Sequence, residues 1–287
     1  VTYALCGVLA YWVRKWKVRG LITLGAILLA VPAFNYWLFG MSMSQWPEEA
    51  VASLAVEWNP PPSEVQKELE AMRGSYFDQM QVRVPAAYGM QTFVFLVWYG
   101  WRALGLMMIG MALYKARVFT GERSGAFYWV GMLLGFAIGL PLVIVGVRNN
   151  FAASWSLQYS MFLGWEWNYI GSLFVAFGYV CKIMLLAKYG VLAGVLNVMS
   201  RVGRMAFTGY ILMTLLCTFI FYGHGLGYYG KLDRLEQMGV VVVVWIVVLL
   251  FARYWMNRYR YGPLEWLWRK LTYARHMAVS IRKNAKE

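Results

Sequence analysis

The chain has 287 residues, of which 61% are hydrophobic and 14% are charged, and its formal net charge is +14. Average globular domains are about 45–50% apolar and about 25% charged, so this chain has too few polar groups to cover the surface of a soluble protein. The composition therefore excludes a disordered chain, a disulfide scaffold and a cytosolic Rossmann-type enzyme, and it predicts a polytopic membrane protein.

Long apolar stretches predict an all-α fold, a polytopic helical membrane bundle with about seven transmembrane spans. The first stretch is too short to span alone and lacks the features of a signal peptide, so we interpret it as the second half of a helix and expect the chain to be N-terminally incomplete. The third stretch is longer than a bilayer core of ~30 Å requires, so it must tilt, kink near Gly100 or project beyond the bilayer. The stretches are 1–13, 20–41, 86–113, 127–147, 167–187, 205–222 and 236–252.

These spans divide the chain into two N-terminal spans at 1–41, an outer loop at 42–85, a bundle of five spans at 86–257 and a basic aromatic tail at 258–287. In the outer loop, Ser63 and Gln66 have the spacing of a capping box and predict the start of an amphipathic helix. This helix either lies on the membrane or covers the bundle. Its apolar face consists of Val65, Leu69, Met72, Tyr76 and Met80.

The basic residues are distributed unevenly between the two ends of the predicted spans. Nineteen of the 27 Lys and Arg residues fall in the connections and the tail that share one side with the C-terminus, and six fall on the other side. The positive-inside rule then predicts a cytoplasmic C-terminus. The positive charge is therefore an orientation signal, and no nucleic-acid partner is expected.

Metal binding is not expected from the sequence. The three cysteines, Cys6, Cys181 and Cys217, lie in apolar runs without metal-ligand spacing, which favours a role as core residues. Two histidines are too few for a histidine-rich metal site.

Three motifs in the C-terminal half resemble those of a known family. They are GRMAFTGYILMT at 203–214, FYGHGLGYYGKL at 221–232 and RYRYGPLEWLWRKLTYAR at 258–275. In this order they resemble the YeiB-like family, a domain-of-unknown-function group of bacterial inner-membrane proteins. The chain departs from the family pattern at Gly209, where Asn is usual, and at Met213, where Gln is usual.

The resemblance implies a location in the bacterial inner membrane and an activity class. The family is similar, at superfamily level, to membrane-bound acyltransferases, which implies an acyltransferase-like protein that acts on a cell-envelope acceptor with acyl-coenzyme A as the donor substrate. The catalytic histidine of that superfamily lies in early helices, and no residue of this chain matches it. The alternatives are a membrane transporter or lipid-handling protein, and a structural or assembly subunit whose partners are an upstream chain segment or other subunits.

Two residues near the outer membrane edge are candidate catalytic groups. His224, in the glycine-rich GHGLG segment, has the side chain best suited to proton transfer near neutral pH, and the alternative is a structural loop histidine. Glu166 lies at the outer entrance of its span. It is either a base, a partner for Arg102 or an ordinary acid in the first turn of a helix.

Four residues are candidates for binding an acyl donor or an anionic lipid. Arg102 lies deep in its span, where it would bind an anionic donor, pair with a carboxylate or sit at a helix break. Arg201 and Arg204 flank Gly203 and would clamp phosphates, bind anionic lipid or enforce topology. Tyr210 would supply a hydroxyl or pack as a buried aromatic residue.

The tail predicts a cytoplasmic interfacial helix. Pro263 fits the first helical position and Glu265 falls near the third. A helix that is both basic and aromatic is expected to anchor in the headgroup region against anionic lipid. The anchoring residues are Trp266, Trp268, Arg269 and Lys270.

Overall fold

The computed structural model describes residues 2–273, and it confirms the all-α class. A 3₁₀ turn at Met43–Gln45 follows α2, and a π-helical turn at Phe95–Tyr99 precedes α6. The α-helices are α1 (Thr2–Trp12), α2 (Val18–Ser42), α3 (Glu48–Trp58), α4 (Pro62–Arg73), α5 (Tyr76–Gln91), α6 (Gly100–Lys115), α7 (Gly125–Ala152), α8 (Leu157–Ser160), α9 (Leu163–Lys188), α10 (Ala193–Arg204), α11 (Ala206–Phe221), α12 (Arg234–Arg258) and α13 (Pro263–Tyr273).

The described part of the chain contains five or six helical segments that qualify as membrane spans, so the expected count of seven is not confirmed. A sixth span exists only if α10 and α11, which meet at 84°, are counted together. With 11 residues, α1 is ~16 Å long, about half of a bilayer core of ~30 Å. The five long segments are Val18–Gln45, Tyr76–Lys115, Gly125–Ala152, Leu157–Lys188 and Arg234–Arg258.

A π-helical turn lies in the over-long apolar stretch 86–113, next to Gly100. The turn at Phe95–Tyr99 widens the helix without ending it, so that the helical segment runs from Tyr76 to Lys115. Gly100 follows directly. A Cβ atom at Gly100 would lie 2.7 Å from the Phe95 carbonyl oxygen, so only glycine fits there without a shift of the backbone.

The amphipathic helix predicted in the outer loop is divided in the structure. Gly74 separates α4 from α5, and Ser75 caps α5 by donating from its backbone N and its Oγ to Asp78 Oδ2 at 2.8 and 2.7 Å. Asp78 N donates back to Ser75 Oγ at 3.4 Å. This reciprocal pair starts a new helix two residues after α4 ends.

The start of α4 also differs from the predicted start of this amphipathic helix. α4 begins at Pro62, with the proline in the first helical position, so Ser63 lies inside the helix and does not cap it. Gln66 Nε2 donates to Glu70 Oε1 at 2.8 Å, along the helix surface. The helix thus begins two residues before Glu64, the first helical position that a cap at Ser63 would give, because proline fits the first position of a helix.

The chain folds as two compact units. Among the described residues, unit 1 comprises 2–62 and 84–191, and unit 2 comprises 63–83 and 192–273. Unit 2 thus joins α4 and the start of α5 to the C-terminal helices.

Unit 1 is built around a close contact between α7 and α9. A Cβ atom at Gly135 would lie 2.7 Å from the backbone N and Cα of Gly178, and one at Gly139 would lie 2.8 Å from the carbonyl oxygen of Gly171. Small residues let membrane helices approach until their backbones touch. The resulting van der Waals packing stabilises the helix pair, because lipid supplies no hydrophobic driving force for helix association. The glycines of α7 and α9 therefore set the distance between these two helices.

Unit 2 has its core where α10, α11 and α12 meet. Met205, at the bend between α10 and α11, is fully buried against Ala252 and Met256 of α12. α13 begins at Pro263, as predicted, and Glu265 accepts hydrogen bonds from Thr208 N at 3.1 Å and Thr208 Oγ1 at 2.5 Å. The tail helix is thereby fixed to the first turn of α11. The tail residues 274–287 lie outside the described residues.

Candidate functional site

A glycine-rich loop connects α11 to α12 and carries His224. Gly223 N donates to the Met72 carbonyl oxygen of α4 at 3.0 Å, and a Cβ atom at Gly223 would overlap the carbonyl group of Arg73. The end of α4 therefore packs directly on the loop backbone at Gly223, where no side chain fits. Within unit 2, this contact packs α4 on the loop that follows α11.

The His224 ring is held by a buried amide. Its Nδ1 atom lies 3.0 Å from Oε1 of Gln79, a residue of α5 with no exposed surface. Gln79 Nε2 donates to the Gly74 carbonyl oxygen at 3.1 Å. The Gly74 carbonyl oxygen can only accept a hydrogen bond, so the atom of the Gln79 amide that contacts it is the NH₂ nitrogen. The amide oxygen, Oε1, therefore faces His224 and accepts a hydrogen bond from a protonated Nδ1. The neutral ring then carries its lone pair on Nε2, the protonation pattern of a general base.

An aromatic side chain links His224 to the rest of the loop. The Tyr222 ring lies edge-on to both neighbours, with its centroid 5.9 Å from the His224 ring and 6.1 Å from the Tyr229 ring. The Arg83 guanidinium lies 5.2 Å from the centre of the Tyr222 ring. Tyr76 packs against the His224 ring from α5, at 6.4 Å. His224 as a whole is an exposed residue.

Tyr229 fixes the far side of the same loop to α4. Its hydroxyl donates to Glu68 Oε1 at 2.7 Å, and its carbonyl oxygen accepts from Arg73 Nε at 2.8 Å. Burial, followed by the hydrogen bond to Glu68, raises the pKa of Tyr229 to about 12. Both contacts tie the loop to α4 around His224.

A groove of about 500 Å³ opens beside this cluster. One wall is apolar and belongs to α11, and the other carries the phenol rings of the loop together with Gln237 of α12. The lining residues are Cys217, Thr218, Phe221, Tyr222, Tyr229, Gly230 and Gln237. An amphiphilic molecule, with a chain along α11 and a polar group near the loop, matches this lining.

In unit 1, Arg102 of α6 is half-buried, and its side chain contacts α9. Its Nη2 donates to Ser172 Oγ at 3.0 Å, and its Cζ lies 4.4 Å from the centre of the Tyr169 ring. The Tyr169 hydroxyl in turn donates to the Leu29 carbonyl oxygen at 2.9 Å. A hydroxyl and an aromatic face therefore hold the guanidinium inside an apolar segment.

Glu166 does not pair with Arg102. The ion pairs found within residues 2–273 are Lys67–Glu64 and Arg117–Glu122, each at 2.7 Å, so the predicted pairing of Arg102 with a carboxylate is not formed. Glu166 is half-buried in the first turn of α9. It belongs to unit 1 and His224 to unit 2, so neither unit by itself contains both predicted catalytic residues.

The two predicted phosphate-binding arginines lie on α10, a helix in the connection between the predicted spans 167–187 and 205–222. Arg201 Nη1 donates to Asn257 Oδ1 of α12 at 2.6 Å, while Arg204 is exposed. Tyr210 is 66% exposed, so packing as a buried aromatic residue is excluded for it.

The anchoring residues of the tail lie on α13 and contact neighbouring aromatic rings. Trp268 is edge-on to Phe207 at 6.2 Å, and the Lys270 ammonium lies 5.2 Å from the Trp266 ring. The Arg269 guanidinium lies 4.5 Å from the Tyr261 ring. α13 thus carries both basic side chains and aromatic rings beside the start of α11.

Sequence reasoning missed the residues that surround His224. Gln79 was not considered, because it is 145 residues away in the chain and the sequence carries no local sign of such a contact. Among residues 2–273, no cluster of three His, Cys, Asp or Glu side chains is placed to hold a metal ion.

Comparisons with known proteins place the chain among proteins that are themselves uncharacterised. It is 33% identical over 178 residues to the uncharacterised protein YeiB of Escherichia coli, a match that covers 61% of this chain and 45% of YeiB. It is 41% identical over 104 residues to the uncharacterised protein YxaH of Bacillus subtilis, which covers 36% of this chain and 26% of YxaH. The chain spans less than half the length of each of these relatives. No solved structure matches it.

The family model described as "Protein of unknown function (DUF418)" matches residues 113–275, a segment that contains α7 to α13 and the His224 loop. This match covers more than half of the chain, and it agrees with the resemblance carried by the three C-terminal motifs. The chain is therefore a multi-pass membrane protein that belongs to the DUF418 family.

Proposed function

We propose that the protein is an acyltransferase-like membrane enzyme that transfers an acyl group to a hydroxyl of a cell-envelope acceptor, with His224 as the general base. The observation that carries the proposal is the 3.0 Å hydrogen bond between His224 Nδ1 and the buried Gln79 Oε1. This bond leaves Nε2 as the proton acceptor of the ring. The superfamily resemblance supplies the reaction class.

In the proposed step, Nε2 of His224 takes the proton of the acceptor hydroxyl as its oxygen attacks the carbonyl carbon of a thioester donor. The new C–O bond forms, the C–S bond breaks, and the departing thiolate takes the proton from the imidazolium. Gln79 keeps the ring in position throughout, because its own amide is fixed by the Gly74 carbonyl oxygen.

For the orientation, we propose that the His224 end faces outward and that α10 and α13 face the cytoplasm of a bacterium, across its inner membrane. The distribution of Lys and Arg supports this orientation. Arg204, beside the fixed Arg201, would then bind the phosphates of acyl-coenzyme A. With 16 residues, α11 is ~24 Å long, so the donor needs a long flexible arm to reach the His224 end.

Arg102 provides a second candidate contact for an anionic donor. Only Ser172 Oγ accepts from its guanidinium in the described structure, and no carboxylate there neutralises it. A charge retained inside an apolar segment without an ionic partner is a sign of function, because the charge is expensive to keep there.

A lipid-handling protein is the second candidate function, and the groove beside α11 favours it. A lipid bound there would place its chain against Cys217 and Phe221 and its polar group near Tyr229. In that case the His224–Gln79 pair would orient a bound headgroup and would take part in no bond-breaking step.

An acyl-transfer assay distinguishes the two functions. The full chain, reconstituted in liposomes of bacterial polar lipid, is supplied with acetyl-labelled coenzyme A and an envelope extract, and labelled products are separated. His224→Gln should abolish labelling, and Leu226→Ala, an exposed residue of the same loop, should retain it. Equal labelling by wild type and His224→Gln, or no labelling by the wild type, would overturn the acyl-transfer proposal.

A further inference from the structure

α10 carries an apolar stripe that no other part of the described chain covers. Leu192, at its N-cap, and Val195 and Met199 follow one another at helical spacing and are 58%, 52% and 48% exposed. Side chains at this spacing lie on one face of a helix. Asn197 and Arg204 lie on the opposite face, so the helix is amphipathic along its whole length.

The same helix is fixed at a right angle to its neighbour. α10 meets α11 at 84° at Met205, whose full burial against α12 holds the bend. Arg201 also ties α10 to Asn257, near the end of the membrane-spanning α12. When α11 runs along the membrane normal, a helix at 84° to it, tied near the end of α12, lies close to the membrane plane.

The charge at this end of unit 2 is strongly positive. Within the described segments 192–209 and 252–273 the one acid is Glu265, and its carboxylate is engaged by Thr208. The basic residues there are Arg201, Arg204, Arg253, Arg258, Arg260, Arg269 and Lys270. Such a surface complements anionic lipid headgroups, and each basic residue close to the membrane adds to the attraction.

From these observations we propose that α10 is an in-plane membrane helix. It inserts Leu192, Val195 and Met199 at the boundary between headgroups and acyl chains, and Arg204 lies among the phosphates of anionic lipids. The exposed stripe is apolar, Met205 fixes the direction of the helix, and the surrounding positive charge selects anionic lipid. Insertion of the apolar stripe does not depend on acyl transfer, while Arg204 is shared with the proposed acyl-coenzyme A site.

Depth measurement with a fluorescent label tests the proposal on the full chain in nanodiscs. Cys6 and Cys181 are buried, so Cys217→Ala leaves an introduced cysteine as the reactive position. The pair to compare is Val195→Cys and Asn197→Cys, because residue 197 lies about 200° further around the helix. Each is labelled with an environment-sensitive dye and exposed to doxyl-labelled lipid and to aqueous iodide.

We expect the label at 195 to be quenched by the lipid and protected from iodide, and the label at 197 to show the reverse. Quenching at 195 should favour doxyl-phosphatidylglycerol over doxyl-phosphatidylcholine. Arg204→Gln should reduce that preference about fivefold, the factor that corresponds to about 1 kcal/mol for one basic residue.

Two results would overturn the proposal. Equal access of iodide to both labels would show that the stripe faces water. Protection at 195 without lipid quenching, increasing with protein concentration in detergent, would show that a second copy of the chain covers α10 instead of the membrane.

Discussion

Nδ1 of His224 lies 3.0 Å from Oε1 of Gln79, and this contact joins the α11–α12 loop to a fully buried residue of α5. The Gly74 carbonyl oxygen holds the other end of the Gln79 amide at 3.1 Å. A glutamine thus takes the place that a carboxylate or carbonyl often takes beside a catalytic histidine. It orients the ring without adding a charge.

Gln79→Met should destabilise the protein by about 1–3 kcal/mol, because the fully buried Gln79 amide makes hydrogen bonds to the Gly74 carbonyl oxygen and to the His224 ring, and both are lost. The measurement is the unfolding free energy in a denaturing-detergent titration. Gln66→Met makes the same chemical change at an exposed position of α4 and should stay within about 0.5 kcal/mol of wild type. Equal losses in the two variants would show that Gln79 makes no special contact.

Gly135→Ala should destabilise unit 1 by about 1–3 kcal/mol, because the added methyl group would lie 2.7 Å from backbone atoms of Gly178 that cannot move aside. Gly110→Ala is the matched control, since a Cβ atom at Gly110 has nothing within 4 Å. That variant should be neutral or up to about 1 kcal/mol more stable, because alanine favours the helix. Thermal unfolding of both variants in the same detergent checks the difference, and a Gly135 variant as stable as the Gly110 variant would contradict the packing of α7 on α9.

Arg102→Gln should change the unfolding free energy by less than about 1 kcal/mol. Loss of the Ser172 hydrogen bond and of the contact with the Tyr169 ring is offset, because an apolar segment no longer carries a charge that costs about 2.5–3.5 kcal/mol there. Acetyl-coenzyme A binding should fall in the same variant. A loss of stability above about 3 kcal/mol, with binding intact, would make Arg102 a structural residue.

Because of Tyr229, the free energy of unfolding should decrease at alkaline pH. Burial and the hydrogen bond to Glu68 raise its pKa from 10.0 to about 12, so the folded state favours the neutral phenol. This contribution is fully present below a pH of about 10 and is lost as the pH rises through about 12. The advantage of wild type over Tyr229→Phe in unfolding free energy should therefore shrink across this range. A difference that stays constant with pH would contradict the Tyr229–Glu68 contact.

The local features of the fold were predictable from the sequence, and the errors have physical causes. Hydropathy located the long helices, and Gly262-Pro263 located the start of α13, because both signals are carried by neighbouring residues. Hydropathy does not predict α10, because this helix is short and amphipathic and carries no long apolar run. The break between α4 and α5 was present in the sequence as Ser75 and Asp78, at capping-box spacing.

The candidate site was predictable only in part. His224 was singled out by its residue type and its glycine neighbours, but its partner Gln79 is identified only by tertiary contact. The pairing of Arg102 with Glu166 was one of the alternatives that charge alone suggested. The structure instead places a serine hydroxyl and an aromatic ring against the guanidinium.

The tautomer of His224 tests the central claim most directly. The chain has two histidines, so His276→Gln leaves His224 as the single histidine, and ¹⁵N-histidine labelling then reports on its ring alone. In nanodiscs at alkaline pH, nitrogen-15 NMR should show a protonated Nδ1 and an unprotonated Nε2, and Gln79→Met should remove this preference. A ring protonated on Nε2 in the otherwise unchanged chain would contradict the assignment of His224 as a base held by Gln79.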